Sequence, residues 1–314
     1  MSARGVRGAL AALAVVALLG AVPYLFGPYW QQLGYRALQL LTLAMAWNLL
    51  AGYTGQVSLG TGAFVGLGAY AFALLGNASG APLPLLLLGS GAVAALFAVL
   101  VSPGLFRLRG LYFTIGSLAL AEALRILMVN LPQFGGANGI VLRMASPPIY
   151  ALYWMALGVA ALSALSIALT LGSPASLALR AVRDDESVAR EMGVRTFHVK
   201  LACFAFASFL MGMVGGLQAL KLGVIEPYGA FGMSWTIDTV AIVVIGGLGT
   251  RGGAVLGALL YLLLGELLRD QPELHGAITG LFLLLVIRLS PQGLWPALQR
   301  LLRPRRAVAE VSDG

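Results

Sequence analysis

The protein has 314 residues, 59% of them hydrophobic and 10% charged, with 41 glycines and a formal net charge of +8. A mean hydropathy of +0.90, with apolar residues in blocks of roughly 20, the length that crosses a bilayer, excludes an ordinary water-soluble domain. The basic residues sit between these blocks and near the C-terminal end rather than along one amphipathic face, so the charge serves membrane topology and not nucleic-acid binding.

Arg4 and Arg7 precede an apolar run that continues past Pro23 without a small-x-small cleavage site, which reads as a retained first helix rather than a signal peptide. Hydropathy predicts an all-α, polytopic transmembrane helical bundle of about ten spans (eight to ten). They fall at about 8–27, 34–52, 57–76, 83–102, 111–130, 150–171, 201–222, 234–250, 253–268 and 275–290. The Gly-rich connections 52–62 and 246–253 leave room for broken or re-entrant segments. Arg4, Arg7, Arg107, Arg109, the bases of 180–200, Arg251, Arg288 and the cluster Arg300, Arg303, Arg305 and Arg306 collect on one side. Only Arg36, Arg143, Lys221 and Arg269 collect on the other, so the N- and C-termini are expected in the cytoplasm. The expected organisation is one transmembrane domain, 1–300, carrying a charged cytoplasmic loop at 174–200, and a basic cytoplasmic tail at 301–314.

That loop contains the most polar stretch of the chain, RAVRDDESVAREMGVRTFHVK at 180–200, which must be presented to water between spans. A helix is expected over about 176–192, beginning near Ser173-Pro174 and stopped by Gly193. Leu179, Val182 and Ala189 would share a face with Glu186, and ion pairs are expected between Arg183 and Glu186 and between Glu186 and Arg190. Such a helix is either a docking knob for another protein or a solvated helix held by its own ion pairs.

Within the spans, Glu122 and Arg125 stand three apart on one helix face, where they can neutralise each other. Asn48, Thr54, Gln56, Ser58 and Thr61 cluster around the Gly-rich break and are candidates for lining a water-filled path, or for hydrogen-bonding helix to helix. The pattern G-A-x-x-G-x-x-x-Y occurs at 62–70 and again at 253–261, read either as helix packing or as two related units flanking a path. The single cysteine, Cys203, lies in an apolar run and reads as packing. Metal-ligand spacings, a catalytic triad and the phosphate loop G-x-x-x-x-G-K-[ST] do not occur in the sequence, so neither an enzyme nor a bound cofactor or metal is expected.

NLLAGYTGQVSLGTGAFVGLGAYAFALL (48–75), LRGLYFTIGSLALAEALRIL (108–127), GGANGI (135–140), RAVRDDESVAREMGV, VIGGLGTRGGAVLGA (244–258) and SPQGL (290–294) together resemble the LivM-type permeases of branched-chain amino acid ABC importers. The resemblance spans about 45–295, with the motifs in the same order. Three positions depart from it: Thr61 stands where a His is usual, Ala254 where a Pro is usual and Ser290 where an Arg or similar base is usual. The resemblance implies a multi-pass inner-membrane permease subunit for branched-chain or related small amino acids. It would pair with a second homologous permease, two cytoplasmic ATPases that bind the ATP, and an extracytoplasmic binding protein; the charge-derived topology puts Gly135–Asn138 on the outer side, within reach of that protein. It also implies that 174–200 holds the coupling helix, with Arg183, Asp184, Asp185, Glu186, Arg190 and Gly193 in the coupling role. A permease for urea or short amides, an ion-coupled secondary transporter using Glu122, and a membrane scaffold acting through the same loop remain open alternatives.

Overall fold

The computed structural model of the protein describes residues 19–302 except 22, 251, 270 and 271. Most of the expected first span, Arg4, Arg7, Arg251 and the tail beyond 302, with Arg303, Arg305 and Arg306, lie outside the described residues.

Helices dominate the described residues. In chain order α1 is Pro28–Asn48, followed by a π turn, Leu49–Tyr53; then come α2 Thr61–Ser79, α3 Leu83–Leu105 and α4 Leu111–Asn130. Two 3-10 turns and strand β1, Ile140–Val141, lead to α5 Ile149–Gly172, α6 Ala175–Asp184, α7 Glu186–Glu191 and α8 Thr196–Leu222. Strand β2, Val224–Ile225, precedes α9 Pro227–Ala230, α10 Ser234–Gly246, α11 Gly253–Leu267, α12 Pro272–Leu289 and α13 Leu294–Leu302. β1 and β2 pair antiparallel, Ile140 with Ile225 and Val141 with Val224, and so clip the 131–148 connection to the end of α8. Gly135 and Asn138 in that connection are exposed.

Among the described residues six helices are long and apolar enough to cross a membrane, or up to seven if the pair Gly276–Leu289 and Leu294–Leu301, bent by 48°, is one span. Two of the expected blocks fall short of that test for physical reasons. α1 carries Gln31, Gln32, Arg36 and Gln39, and α11 has 15 residues, under the roughly 20 that cover the hydrocarbon.

The described residues form two compact units divided after Val240, within α10. In the first, α8 packs lengthwise against α2 and α3, and α1 against α5. Glycines set the α2–α8 spacing. A Cβ on Gly68 would lie 2.1 Å from the Gly212 carbonyl oxygen, and one on Gly215 would lie 2.0 Å from that of Val65. In lipid, where apolar side chains gain little by leaving the solvent, such close backbone approach is what holds helices together. Tyr35, Phe64, Phe72, Tyr153 and Phe204 fill the interior around this seam, and Cys203 is buried in it as a packing residue.

In the second unit a Cβ on Gly257 would lie 2.0 Å from the Ile242 carbonyl, and one on Gly293 would lie 2.2 Å from the Gly247 Cα. The turn 246–253 therefore packs on the 290–294 motif. Both copies of G-A-x-x-G-x-x-x-Y lie on helices whose glycines meet neighbouring chain: Gly62 faces the 231–232 carbonyls and Gly257 the Ile242 carbonyl.

Candidate functional site: the glycine break and the charged segment

After α1 the helix widens into the π turn Leu49–Tyr53 and then stops, and 55–60 is irregular until α2 begins at Thr61. Gly55, at φ 73°, makes the reversal that a Cβ would strain. Irregular backbone next to membrane spans needs partners for its polar groups inside the protein, and several are found here. Trp47 Nε1 donates to the Ser58 carbonyl at 2.6 Å, Thr114 Oγ1 to Val57 at 2.8 Å and Thr236 Oγ1 to Leu59 at 3.2 Å. The Leu59 N–H donates to Ser117 Oγ at 2.8 Å.

All five path candidates are buried, with Asn48 4%, Thr54 3%, Gln56 4%, Ser58 2% and Thr61 1% exposed. Thr54 Oγ1 donates to the Leu50 carbonyl at 2.6 Å, and Ser58 Oγ accepts from the Gly60 N–H at 3.2 Å. Gln56 Nε2 and Thr61 Oγ1 have no hydrogen-bond partner among the described residues.

The charged segment folds directly beneath the break. The single helix expected over 176–192 is two helices, α6 and α7, separated at Asp185, whose backbone is extended (φ −158°, ψ 113°). The reason is a cap: the Asp185 carboxylate accepts from the Ser187 N–H at 2.8 Å, the Val188 N–H at 3.1 Å and the Ser187 hydroxyl at 2.5 Å. Starting a new helix satisfies more donors than continuing the old one. These bonds, the Ser187 hydroxyl foremost, hold the Asp185 carboxyl below its ordinary 3.8.

At the far end the Gly193 N–H donates to Arg190 and the Val194 N–H to Ala189, both at 3.0 Å, with Gly193 at φ 85°. This is the six-to-one and five-to-two closure that glycine favours at a helix end. Leu179, Val182 and Ala189 are buried, but on two helices and not on the one face, shared with Glu186, that a single helix would have given them.

Two side chains tie the segment to the spans. Arg183 Nη1 donates to the Gly52 carbonyl in the π turn at 3.2 Å. Lys200, at the start of α8, reaches Glu186 at 2.9 Å. Arg183 therefore pairs with its neighbour Asp184 at 2.9 Å and not with Glu186, because its guanidinium points back to the break. The Glu186–Arg190 pair is present at 3.2 Å. Partial burial pushes the Glu186 carboxyl up, but Lys200, Arg190 and Thr196 outweigh it and leave it below its ordinary 4.5.

Between segment and break lies a cleft of about 370 Å³, lined by Gly55, Gln56, Arg109, Asp185, Arg190 and Lys200 among others. In α4, Arg125 Nε donates to Glu122 Oε2 at 3.0 Å, the pairing that their spacing implied.

A family described as the branched-chain amino acid transport system / permease component matches residues 29–287. The chain belongs to that family. It is 30% identical over 302 residues to the high-affinity branched-chain amino acid transport system permease protein LivM of Escherichia coli (strain K12), covering 86% of this chain and 71% of the relative. The Salmonella typhimurium LivM is 30% identical over 288 residues, covering 82% and 67%. The autoinducer 2 import system permease protein LsrC of Yersinia pseudotuberculosis is 27% identical over 301 residues, covering 88% and 82%. No solved structure matches the chain.

As a member of this permease family the chain is a multi-pass membrane protein, and its break is held by Trp47, Thr114, Ser117 and Thr236, which spacing arguments did not single out, and by Arg183, which was expected to pair with Glu186 and not with the Gly52 carbonyl. Their signal was in the sequence as hydroxyls within otherwise apolar runs, Thr114 and Ser117 in LYFTIGSLAL and Thr236 in SWTIDTV. The partner of each is 11 to 177 residues away, which no local pattern reveals.

Proposed function

We propose that the protein is the permease subunit of an ATP-driven ABC importer of the inner membrane, passing branched-chain or related small amino acids. In this reading α6 and α7 form the coupling element seated in a cytoplasmic ATPase, with Arg183, Asp184, Asp185, Glu186, Arg190 and Gly193 shaping it. The complete assembly holds a second homologous permease, two ATPases that bind ATP, and an extracytoplasmic amino-acid-binding protein that touches the exposed 135–138 turn.

One observation carries the reading beyond family membership: the charged segment is bonded to the glycine break through Arg183 and to α8 through Lys200. A push on the segment thus reaches both the break and the helix on which α2 and α3 pack, which is how a rigid-body rearrangement is transmitted. Asn48, Thr54, Gln56, Ser58 and Thr61 then line the path in the conformation where the break opens. With α1, α11, the bent pair and the expected first span all counted as crossings beside the six, the reading has ten spans, and eight to ten if the Gly-rich segments are re-entrant, with both termini cytoplasmic, a transmembrane domain over 1–300 and a basic tail over 301–314.

A second substrate reading is autoinducer 2, favoured by the similarity to autoinducer 2 import permeases. Proteoliposomes holding the permeases, ATPases and binding protein separate the readings. ATP-dependent uptake of leucine supports the first, and uptake of autoinducer 2 but not leucine supports the second. Uptake that needs no ATPase and follows a proton or sodium gradient overturns both.

A further inference from the structure

Glu122 and Arg125 sit in the middle of the 20-residue α4, yet their side chains are 53% and 24% exposed. An ion pair built only to hold helices together would be enclosed by them, since charge at mid-membrane is costly. Instead the pair lines a cavity of about 260 Å³, smaller than the roughly 300–1,000 Å³ of sites for drug-sized ligands.

The rest of the wall is mostly apolar. Leu118, Ala121, Phe231 and Met233 contribute to it, while Leu59 brings the glycine break itself to the cavity and Gly62 the first turn of α2. The Tyr228 ring lies 5.0 Å from the Arg125 guanidinium and steadies it. Thr236, the other polar side chain of the wall, is already engaged with the Leu59 carbonyl.

We propose that this cavity is the permease's transit site for a free α-amino acid, with Glu122 receiving the ammonium and Arg125 the carboxylate. The inference rests on the importer reading and assigns its zwitterionic substrate a place of binding. A zwitterion carries both charges on adjacent groups, so it can open one ion pair and form two while adding no net charge to the site. The guanidinium fork matches a carboxylate in two parallel bonds, and Leu118, Phe231 and Met233 offer the apolar side chain a wall. A neutral solute would leave the pair unused. Because Leu59 belongs to the break and Gly62 to the first turn of the helix that follows it, movement of the break changes the site's shape, linking occupancy to the charged segment.

The test uses the full assembly in proteoliposomes with ATP, comparing wild type, Glu122→Gln, Arg125→Gln and the exchanged pair Glu122→Arg/Arg125→Glu, with partner co-purification scored for each. The site predicts that each single variant keeps its partners and loses leucine uptake tenfold or more. It also predicts that the exchanged pair, which restores the ion pair but reverses it towards the substrate, does not recover uptake. Recovery by the exchanged pair, wild-type uptake in the single variants, or loss of partners in them overturns the proposal.

A second measurement does not depend on transport. A cysteine placed at the exposed Met233 is labelled by a maleimide, with the native Cys203 buried; leucine should slow labelling at least threefold, and Glu122→Gln should abolish the protection. Leucine without effect on labelling overturns the site. Absence of ATP-driven leucine uptake in the wild type, with protection intact, instead overturns the importer reading.

Discussion

The Arg183 guanidinium donates to the Gly52 carbonyl at 3.2 Å, across 131 residues of chain. That carbonyl belongs to a π turn, where the normal helical ladder is widened and acceptors are left over. The most polar segment of the chain thus completes the hydrogen bonding of its most irregular membrane backbone. Arg183→Gln should leave the carbonyl without its cation, costing about 1 kcal/mol for a partly exposed charged bond. The assembly should still form but pass substrate several-fold more slowly, as measured by initial uptake rate per ATP hydrolysed.

Gly68→Ala should be among the most damaging small substitutions. Its Cβ would lie 2.1 Å from the Gly212 carbonyl oxygen, so α2 and α8 must part along their seam. The expected loss is about 1–3 kcal/mol, visible as a lower melting temperature in detergent. Ala substitution at Gly104, where nothing stands within 4 Å of the new Cβ, is the control and should melt as the wild type.

Lys200→Met should release α7 from α8. Lys200 is 9% exposed, but Glu186 keeps Arg190 and about a third of its side chain in water. The cost is therefore about 1–2 kcal/mol rather than that of a fully buried pair. Limited trypsin digestion should cut within 183–195 faster in this variant than in the wild type, with the spans unaffected.

Acid should loosen the same segment. Asp185 and Glu186 are held below their ordinary values of 3.8 and 4.5, so their contribution is fully present above those values. It is lost as the pH falls through the lower folded ones. Hydrogen exchange of the 187–194 amides, corrected for the intrinsic rate, should show protection that is steady from pH 7 to about 5 and falls below about 4. Asp185→Asn should flatten much of that dependence.

Six of the expected spans, the exposed polar island and the Glu122–Arg125 pair were legible because each is a local pattern: an apolar block, a charge cluster, a three-residue spacing. The burial of Leu179, Val182 and Ala189 followed from their apolar side chains in a charged stretch, although the single helix face expected to carry them does not exist. The division at Asp185 was not, although its signal was present, because a carboxylate inside an apparent helix reads equally as a surface charge or as the cap of a new helix. The surroundings of Asn48, Thr54, Gln56, Ser58 and Thr61 were hidden for a different reason. Polar residues beside glycines mark irregular backbone, but whether they face a path or the packed interior depends on helices far away in sequence, here α4 and α8. The link from Lys200 to Glu186 likewise joins two helices whose turn had to be built before the pair could meet.

The central claim, that 174–200 couples an ATPase to the path, is tested most directly by ATP-driven leucine uptake in proteoliposomes holding the full assembly. The variant has Asp184, Asp185 and Glu186 replaced together by Ala, with ATPase co-purification scored in parallel. The account predicts that uptake and ATPase retention collapse together. Retained ATPase with undiminished ATP-driven uptake, or transport that persists without ATPases and follows an ion gradient, would contradict it.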